Sequence, residues 1–445
     1  MHPKYIKSCR VCGSSDLIDI VDLGDQYLQG SFVIEGAIDP PRRKLPTRLV
    51  RCDVTANDNA CGLVQLAHTF PPAVLYSNYW YRSGTNKTMQ NHLSEIASSA
   101  QALCKSSPSS VLDIGCNDGT LLKSYPEGTE LCGVDPSDIA RSIDVPVNLV
   151  NTVFPSQQAL EKFKDKEFDI ITSIAMYYDL EDPIGFAEGV KKLLANDGIW
   201  VVEMSYLPLM LVQNSFDTIC HEHLEYYSLA VLEYIFKAAG LRCFKAELND
   251  INGGSIRCYV CHDGASSPGE PEDEDFLQFL RLREFDMALD TESPYEAFRE
   301  RIVEIKDEAM ALLRGLKHQG KKIHIYGAST KGNVLLQWYG IDSSIVDAAA
   351  ERNKFKVGGK TLGTEIPMIS EEDSRAEKPD AYLVLPWHFK PEFLQREEEL
   401  IKAGTMFIFP LPVLEVVTHE NIDAKLQELP SNTKLNSSQI ANLLG

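Results

Sequence analysis

The sequence lacks any apolar run long enough to cross a membrane, and its first residues lack the apolar core of a secretory signal. We therefore expect a cytoplasmic protein with no membrane partner. Positive charge is also scarce, because 43 Lys and Arg stand against 64 Asp and Glu, for a formal net charge of −21. A phosphate backbone would be repelled by this surplus, so we expect no nucleic-acid partner.

What the chain does contain is typical of a globular protein. It has 445 residues, of which 44% are hydrophobic and 24% charged, and this length predicts two or three domains rather than one core. Its 11 cysteines are an odd number in a chain expected to be cytoplasmic, which favours free thiols and metal ligands over disulfides. Cys258 and Cys261 lie in a predicted strand, where their spacing places the two sulfurs on opposite faces and excludes them as a metal pair.

Four cysteines near the start of the chain have a spacing that suits a metal. Cys9 and Cys12 form a C-x-x-C knuckle before Gly13, and Cys52 and Cys61 follow about forty residues later. Four thiolates suit a closed tetrahedral site, so we predict a structural zinc in a separate unit over residues 1–70. The wide spacing of the second pair leaves incidental cysteines as an alternative. A catalytic zinc is less favoured because no histidine or carboxylate ligand is evident.

A glycine turn marks the next unit. Residues 111–122 read VLDIGCNDGTLL, a predicted strand followed by a turn and a helix start, and a second strand ends at Asp135. The spacing differs from the dinucleotide fingerprint and resembles the pattern found where S-adenosylmethionine (SAM) binds. A glycine turn without a ligand is the alternative. The expected cofactor-binding residues are Asp113, Gly115, Asn117, Gly119, Asp135 and Ser173.

The rest of the chain predicts an α/β protein of several parts. Strands alternate with helices over residues 71–262, which indicates a doubly wound, Rossmann-like domain. Residues 263–318 are expected to be an acidic linker, looped from 263 to 275, followed by connecting helices. One long helix is expected to begin at Ser293 and to have an apolar face, because Phe298, Ile302, Ile305, Ala309 and Leu312 recur at spacings of four and three. A second Rossmann-like unit is predicted at residues 319–415 and a weakly ordered tail at 416–445.

The second Rossmann-like unit opens with its own strand and glycine turn, from Lys322 to Asn333. Ser329, Thr330 and Lys331 stand where a helix N-terminus can receive phosphate oxygens, so we expect contact with a nucleotide or sugar nucleotide. A purely structural turn is the alternative, since the Walker A spacing is absent.

Residues 220–227, CHEHLEYY, concentrate acid–base groups in eight positions. They follow the strand that ends at Glu203, at the sheet edge where doubly wound proteins form clefts. If this segment is extended, His221 and His223 share one face. A structural role is one alternative. A metal site is another, although it lacks a convincing third ligand.

These features occur in an order that resembles a known family. The cysteine knuckles, the glycine turn, His221-Glu222-His223, the Asn252-Gly253-Gly254-Ser255 segment and the Tyr326 turn are similar to the zinc-containing SAM-dependent sugar C-methyltransferases. The resemblance implies three units, SAM and a structural zinc as cofactors, and a nucleotide-linked keto-deoxysugar as substrate. It covers nearly the whole chain.

The resemblance also implies a mechanism in which a base removes a proton α to a carbonyl and the enolate attacks the methyl group of SAM in line. By that resemblance His223 is the base, Glu222 orients the sugar or its partner, and His221 belongs to the catalytic set. Tyr79 and Tyr81 are expected at the cleft, with aromatic packing between units as the alternative. Tyr227 and Asn252 are expected to join Ser329, Lys331 and Asn333 in contacting substrate.

Two positions depart from the family pattern. Met176 stands in a segment where a histidine is expected, and Cys220 stands where a tyrosine would be. Both are expected to touch the substrate cleft, which leaves an O- or N-methyltransferase as one alternative and a noncatalytic zinc-containing nucleotide-binding protein as another. The sequence leaves open the sugar, the methylated position, the stereochemistry and the oligomeric state.

Overall fold

The computed structural model describes residues 3–37, 39–71, 75, 81–266, 268–429 and 434–444. The first unit is a small antiparallel β structure. Its strands are β1 (Lys4–Tyr5), β2 (Leu17–Gln26), β3 (Phe32–Val33), β4 (Leu45–Cys52), β5 (Val64–Leu66) and β6 (His68–Thr69). Strands β2, β4 and β5 form adjacent rows of one sheet, with β2 bulged twice along β4.

The central unit is built on a seven-stranded sheet. Its strands are β7 (Ser110–Ile114), β8 (Glu130–Val134), β9 (Asn148–Val150), β10 (Phe168–Ile174), β11 (Leu194–Ser205), β13 (Leu241–Asn249) and β14 (Ser255–His262), with β12 (Glu225–Tyr226) lying outside this sheet. The order is β13-β14-β11-β10-β7-β8-β9. Strands β7 to β11 are parallel, and β14 and β13 add an antiparallel edge.

Helices cover both faces of this sheet, which confirms the predicted α/β class. They are α1 (Lys87–Leu103), α2 (Gln157–Phe163), α3 (Pro183–Leu193), α4 (Leu207–Val212) and α5 (Leu229–Ala238). Every residue of β7 is buried, as expected for a central parallel strand. The helix expected after the glycine turn is only a 3₁₀ turn, Leu122–Ser124. Cys258 and Cys261 lie in separate apolar clusters, consistent with their predicted opposite faces.

The predicted acidic loop at 263–275 is wrong in its second half, because helix α6 (Pro271–Asp286) begins inside it. The acidic residues of this stretch occupy the first turn, where they favourably meet the positive end of the helix dipole, and Glu270 and Asp273 form a capping box. Leu277 and Leu280 are fully buried against the central unit. The acidic residues therefore indicate the start of a helix rather than a solvated linker.

Helix α7 (Ser293–His318) follows and buries the predicted apolar stripe, including Phe298 and Ile302. The remaining elements are β15 (Ile323–Tyr326), α8 (Thr330–Tyr339), β16 (Ala348–Glu351), β17 (Lys360–Thr361), β18 (Met368–Ser370), α9 (Glu371–Ala376), β19 (Ala381–Val384), α10 (Lys390–Arg396), α11 (Glu398–Lys402), β20 (Met406–Phe409), β21 (Glu415–Val417), α12 (Ile422–Gln427) and α13 (Ser437–Leu443). Six of the strands form a sheet of order β18-β16-β15-β19-β20-β21, which is parallel except for its last strand.

The predicted weakly ordered tail is wrong for the described residues. Strand β21, the last strand of the six-stranded sheet, extends to Val417, and the chain then returns to the central unit. There the amide of Leu435 donates to the carbonyl oxygen of Leu248 at 2.9 Å, and Ile440 and Leu444 of the α13 segment are buried. The four-residue spacing of these two side chains places both on one helix face, which the polar composition around them obscured.

Two short strands interlock the units. Strand β12 of the central unit pairs with β5, and β17 of the C-terminal unit pairs with β3, so each larger unit adds a strand to the first. Among the described residues, no helix is both long enough and apolar enough to traverse a bilayer.

Candidate active site at the junction of three units

The four N-terminal cysteines come together. The sulfurs of Cys9 and Cys61 are 3.5 Å apart, those of Cys12 and Cys52 are 3.4 Å apart, and all four lie within 4.8 Å of one another. Zinc bonds to thiolate sulfur are about 2.3 Å long, so four sulfurs this close fit one tetrahedral ion. The part of the chain that the structure describes holds no other cluster of metal-ligand type, which argues against a metal bound by His221 and His223.

The glycine turn after β7 is held in left-handed backbone conformations. Gly115, Asn117 and Gly119 have φ values of 82°, 46° and 74°. Asp135 fixes the turn from the next strand, because its Oδ2 accepts a hydrogen bond from the Asn117 amide at 2.9 Å. A Cβ on Gly115 would lie 3.0 Å from Cγ of Met176, so that side chain covers the turn. Met176 thus lies beside the cofactor turn.

The two other predicted cofactor residues behave differently. Asp113 is buried and accepts a hydrogen bond from the Thr172 hydroxyl at 2.6 Å, and burial raises its pKa to about 7. Ser173, also predicted to bind the cofactor, lies in strand β10. Its hydroxyl is fully buried and accepts from the indole of Trp200 at 3.2 Å, so its side chain points into the core.

The segment before α1 lies against this turn. The Asn117 side chain donates to the Tyr81 carbonyl oxygen at 3.1 Å and accepts from the Ser83 amide at 3.1 Å. Tyr81 is therefore at the cofactor edge, with 46% of its surface exposed. Tyr79 lies outside the described residues.

The histidine segment is a turn rather than the extended strand considered from sequence, and the two histidines diverge. His221 is fully buried. Its Nε2 lies 3.2 Å from the Pro46 carbonyl oxygen, and its ring packs edge-on against Phe70 at 5.0 Å. The catalytic assignment of His221 is therefore wrong, because its polar edge anchors the central unit to the first one.

His223 lies between Thr218 and Tyr178. Its Nδ1 lies 2.8 Å from the Thr218 carbonyl oxygen, which can only accept, so Nδ1 carries the proton and Nε2 keeps its lone pair. The ring of Tyr178 lies against the imidazole, with centroids 4.2 Å apart. Burial, reinforced by the charge of Lys331, lowers the pKa of His223 to about 3, so the imidazole is neutral near pH 7. This is the form that accepts a proton.

Glu222 lies between the first and third units. Its Oε2 is buried without a hydrogen-bond partner, and burial raises its pKa. Glu222 packs against Gly30, because a Cβ there would collide with the Glu222 carboxyl group and would lie 3.6 Å from Oγ1 of Thr330. By contrast, Cys220 is fully buried in the apolar core, so the expectation that it touches the cleft is wrong.

Two substrate-contact predictions also fail because the side chains are internal. Tyr227 is fully buried, and its hydroxyl donates to the Tyr177 carbonyl oxygen at 3.3 Å. Asn333 is buried, and its amide donates to the Gln29 carbonyl oxygen at 2.7 Å. Both join parts of the fold that are distant in sequence.

The remaining predicted substrate residues meet at the start of α8. The Ser329 hydroxyl caps the helix by accepting from the Gly332 amide at 3.0 Å, which is a structural role. Lys331 Nζ donates to the Asn252 carbonyl oxygen at 2.5 Å and so links the C-terminal and central units. Burial lowers the pKa of Lys331, while Asp217 opposes that change.

Sequence reasoning missed three residues of this junction. Asp217 accepts from the Trp387 indole at 2.9 Å through Oδ2, while its Oδ1 is buried without a partner, and burial raises its pKa. His388 is adjacent, and burial together with the charge of Lys331 lowers its pKa well below the usual value. Trp387 and His388 follow strand β19, so the rule that clefts form at carboxyl ends of parallel strands would have found them.

A fourth missed residue, Gln29, connects the units. Gln29 accepts from the His221 amide at 3.2 Å through its side chain and from Asn333 through its backbone, so one residue contacts all three units. Nothing local in the sequence marks it, because both partners lie more than 190 positions away.

Three family models match successive parts of the chain. They are described as “Putative zinc binding domain” at residues 9–76, “Methyltransferase domain” at 86–246 and “C-methyltransferase C-terminal domain” at 250–412. The C-methyltransferase NovU of Streptomyces niveus is 28% identical over 421 residues, which cover 94% of this chain and 98% of that protein.

Solved structures show a weaker likeness. The plantazolicin methyltransferase BpumL in complex with SAH has a TM-score of 0.32 and 16% identity, covering 38% of this chain and 82% of its own. A SAM-dependent methyltransferase from Clostridium acetobutylicum has a TM-score of 0.31 and 13% identity, covering 41% of this chain and 94% of its own. The cysteine cluster, the three family models and the likeness to NovU together identify this chain as a SAM-dependent C-methyltransferase with an N-terminal zinc-binding domain.

Proposed function

We propose that this enzyme methylates a carbon atom adjacent to the ketone of a nucleotide-diphosphate-linked keto-deoxysugar, with His223 as the base. The observation that carries the proposal is the fixed tautomer of His223, whose Nε2 is free to accept a proton at the junction of the units. A carbon acid needs such a base because the carbon becomes nucleophilic only after it loses a proton.

The position of His223 relative to the cofactor turn supports this chemistry. Met176 lies against Gly115 of that turn, and Tyr178, two residues later, packs on the His223 ring. The base is therefore separated from the cofactor turn by one short segment. SAM, when bound, supplies an electrophilic methyl group. His223 would take the proton from the α-carbon. The resulting enolate carbon would then bond to the methyl carbon of SAM as the bond from that methyl to sulfur breaks, and S-adenosylhomocysteine would leave.

The surrounding charges suit an anionic substrate. Lys331 carries positive charge beside His223, and it belongs to the first turn of α8, where a diphosphate is also favoured by the helix dipole. A bound diphosphate would counter the charge of Lys331 and so raise the pKa of His223 towards neutrality. The base would then be strongest once substrate is present.

Exchange of the α-proton tests the proposal without methyl transfer. The purified enzyme is incubated with a nucleotide-linked keto-deoxysugar in D₂O without SAM, and deuterium uptake is followed by NMR. We expect uptake by the wild type and a loss of about 10²- to 10⁴-fold in His223→Asn, in line with removal of a general base.

The matched control is His419→Asn, because His419 is exposed. SAM affinity, measured by calorimetry, should be the same in both variants. Wild-type exchange at the rate of His223→Asn would contradict the assignment of the base. An O- or N-methylated product would contradict carbon as the acceptor.

A further inference from the structure

A short turn before the histidine segment sets the position of the proton on His223. This turn is the 3₁₀ helix Phe216–Thr218, and all three of its residues are buried. The Thr218 carbonyl oxygen accepts from Nδ1 of His223 at 2.8 Å and from the Tyr226 hydroxyl at 3.2 Å. If this oxygen moved away, Nδ1 would lose its acceptor and the proton could occupy Nε2 instead. The tautomer of the base therefore depends on where the turn is held.

The C-terminal unit holds this turn through two side chains. The Trp387 indole donates to Oδ2 of Asp217 at 2.9 Å, across 170 positions of sequence. Phe216 stacks on Tyr339 of helix α8, with ring centroids 5.8 Å apart and ring planes 25° apart. Two successive residues of the turn thus contact the C-terminal unit, and the third contacts His223.

The residues just before the turn are also fixed. The Asn214 amide donates to the Pro412 carbonyl oxygen at 2.9 Å, and its Oδ1 accepts from Arg301 of helix α7 at 2.9 Å. The Ser215 hydroxyl donates to the Gly253 carbonyl oxygen at 3.2 Å. A displacement of the whole turn would therefore break several hydrogen bonds to other parts of the fold.

Trp387 lies in a narrow space between the two units. It is 6% exposed, and a Cβ on Gly253 would lie 2.9 Å from Cζ2 of the indole, so the glycine leaves room for this ring. A buried indole N–H needs an acceptor, which Oδ2 of Asp217 provides. The other carboxyl oxygen, Oδ1, is buried without a hydrogen-bond partner among the described residues. Burial of a half-paired carboxyl group costs free energy, so its presence here indicates a role beyond packing.

We propose that Trp387 and Asp217 are positioning residues, which hold the 216–218 turn from the C-terminal unit and thereby keep the proton of His223 on Nδ1. The proposal rests on the proposed function of His223 and adds what orients that base. The two residues act on the imidazole through the Thr218 carbonyl group. Contact between the central and C-terminal units is then a condition for a base whose Nε2 can accept a proton.

Nitrogen-15 NMR of the full-length protein with labelled histidine measures the tautomer of His223 without any substrate. The signal is assigned by its disappearance in His223→Asn. We expect the wild type to carry the proton on Nδ1 alone. Trp387→Phe retains an aromatic ring but lacks the N–H, so its proton should be shared between the two nitrogens.

The exchange of the α-proton in D₂O measures the consequence for the base. In Trp387→Phe we expect kcat for exchange to fall about ten- to a hundredfold, while KM for the keto-deoxysugar nucleotide and the affinity for SAM change by less than about twofold. A base that is misoriented but present loses rate rather than substrate binding.

Two substitutions at Asp217 separate its hydrogen bond from its bulk. Asp217→Asn keeps an oxygen that accepts from the indole and should retain the Nδ1 tautomer, whereas Asp217→Leu removes the acceptor and should behave like Trp387→Phe. Because the two residues act as one unit, the double variant Trp387→Phe/Asp217→Leu should lose no more exchange than the weaker of the two single variants.

Trp200→Phe is the matched control for a general loss of stability, since it removes an indole that donates to Ser173 at 3.2 Å in the core. It should keep both the tautomer and the exchange rate. A wild-type tautomer and wild-type exchange in Trp387→Phe and Asp217→Leu would overturn the proposal, as would an equal loss in Trp200→Phe. A shifted tautomer in Trp387→Phe, with no α-proton exchange by the wild type, would support the positioning role and refute the carbon-acid function alone.

Discussion

His223 and Lys331 come from different units, yet the charge of Lys331 lowers the pKa of His223. The lysine charge helps to keep the imidazole neutral, and burial weakens the hold of the lysine on its own proton. Asp217 opposes the second effect, because its carboxyl group favours the charged ammonium. The junction thus holds a neutral base next to a cation before any substrate arrives.

Removal of the cation should make His223 more basic. In Lys331→Met we expect the pKa of His223 to rise above about 3 but to stay below the ordinary value near 6.5, because the repulsion is gone while burial, the larger cause, remains. NMR titration of labelled histidine in the free protein measures this change, with exposed His419 as the internal control. A wild-type His223 that titrates near pH 6.5 would contradict the environment described for it.

The site residues that could be predicted from sequence are those fixed by local geometry. Cys9, Cys12 and the glycines after β7 are placed by spacing within a few residues, so the cysteine cluster and the glycine turn form as predicted. His221 and Tyr227 were assigned wrongly because a side chain's direction depends on partners elsewhere. Pro46 lies about 175 positions before His221, and no local pattern reports that contact.

At the scale of elements, hydrophobic periodicity predicted the helices and strands reliably, whereas charged composition did not. Helix α7 was predicted from its apolar spacing, and both sheets were predicted from alternating strands and turns. The acidic start of α6 was taken for a loop and the polar surroundings of α13 for a weakly ordered tail, because both predictions relied on composition. In the structure, capping fixes the start of α6, and two buried residues, Ile440 and Leu444, fix the position of α13. Short helices with a narrow apolar face are easily missed in this way.

Helix α13 provides a test of how firmly the end of the chain is held. Ile440 is 1% exposed and Leu443 is 37% exposed on the same helix. We expect Ile440→Ala to lower the free energy of unfolding by about 3 kcal/mol through lost burial and a cavity. Leu443→Ala should change it by less than about 1 kcal/mol. Thermal unfolding measures both, and equal effects would mean that the segment does not dock as described.

At the scale of the whole molecule, the first unit (residues 1–70) joins the two larger units instead of standing apart as a separate domain, and we call it the clasp. Its sheet is extended by β12, which directly follows the histidine segment, and its β3 pairs with a strand of the C-terminal unit. The zinc-type cysteine cluster stabilises this clasp from one end, while Gln29 and His221 fix it at the other. Folding of the clasp is therefore coupled to the geometry of the histidine segment.

The contact between the first and central units should make the protein sensitive to acid. His68 and His221 are fully buried with ring centroids 6.2 Å apart, and neither nitrogen of His68 has a hydrogen-bond partner. Burial lowers the pKa of His68 to about 3, with a further contribution from His221, and burial lowers that of His221 to about 4. The unfolded chain binds these protons near pH 6.5, so stability is complete above that pH and declines as the pH falls towards 4.

At pH 5 the two histidines together should cost on the order of 4 kcal/mol, at about 1.4 kcal/mol for each pH unit and group. His68→Phe should remove about half of this loss, because phenylalanine fits among aromatic neighbours and binds no proton. Unfolding midpoints at pH 7.5 and pH 5.0 measure the effect, with His419→Phe as the exposed control. Equal acid sensitivity in the wild type and His68→Phe would show that this buried pair does not govern the stability of the clasp.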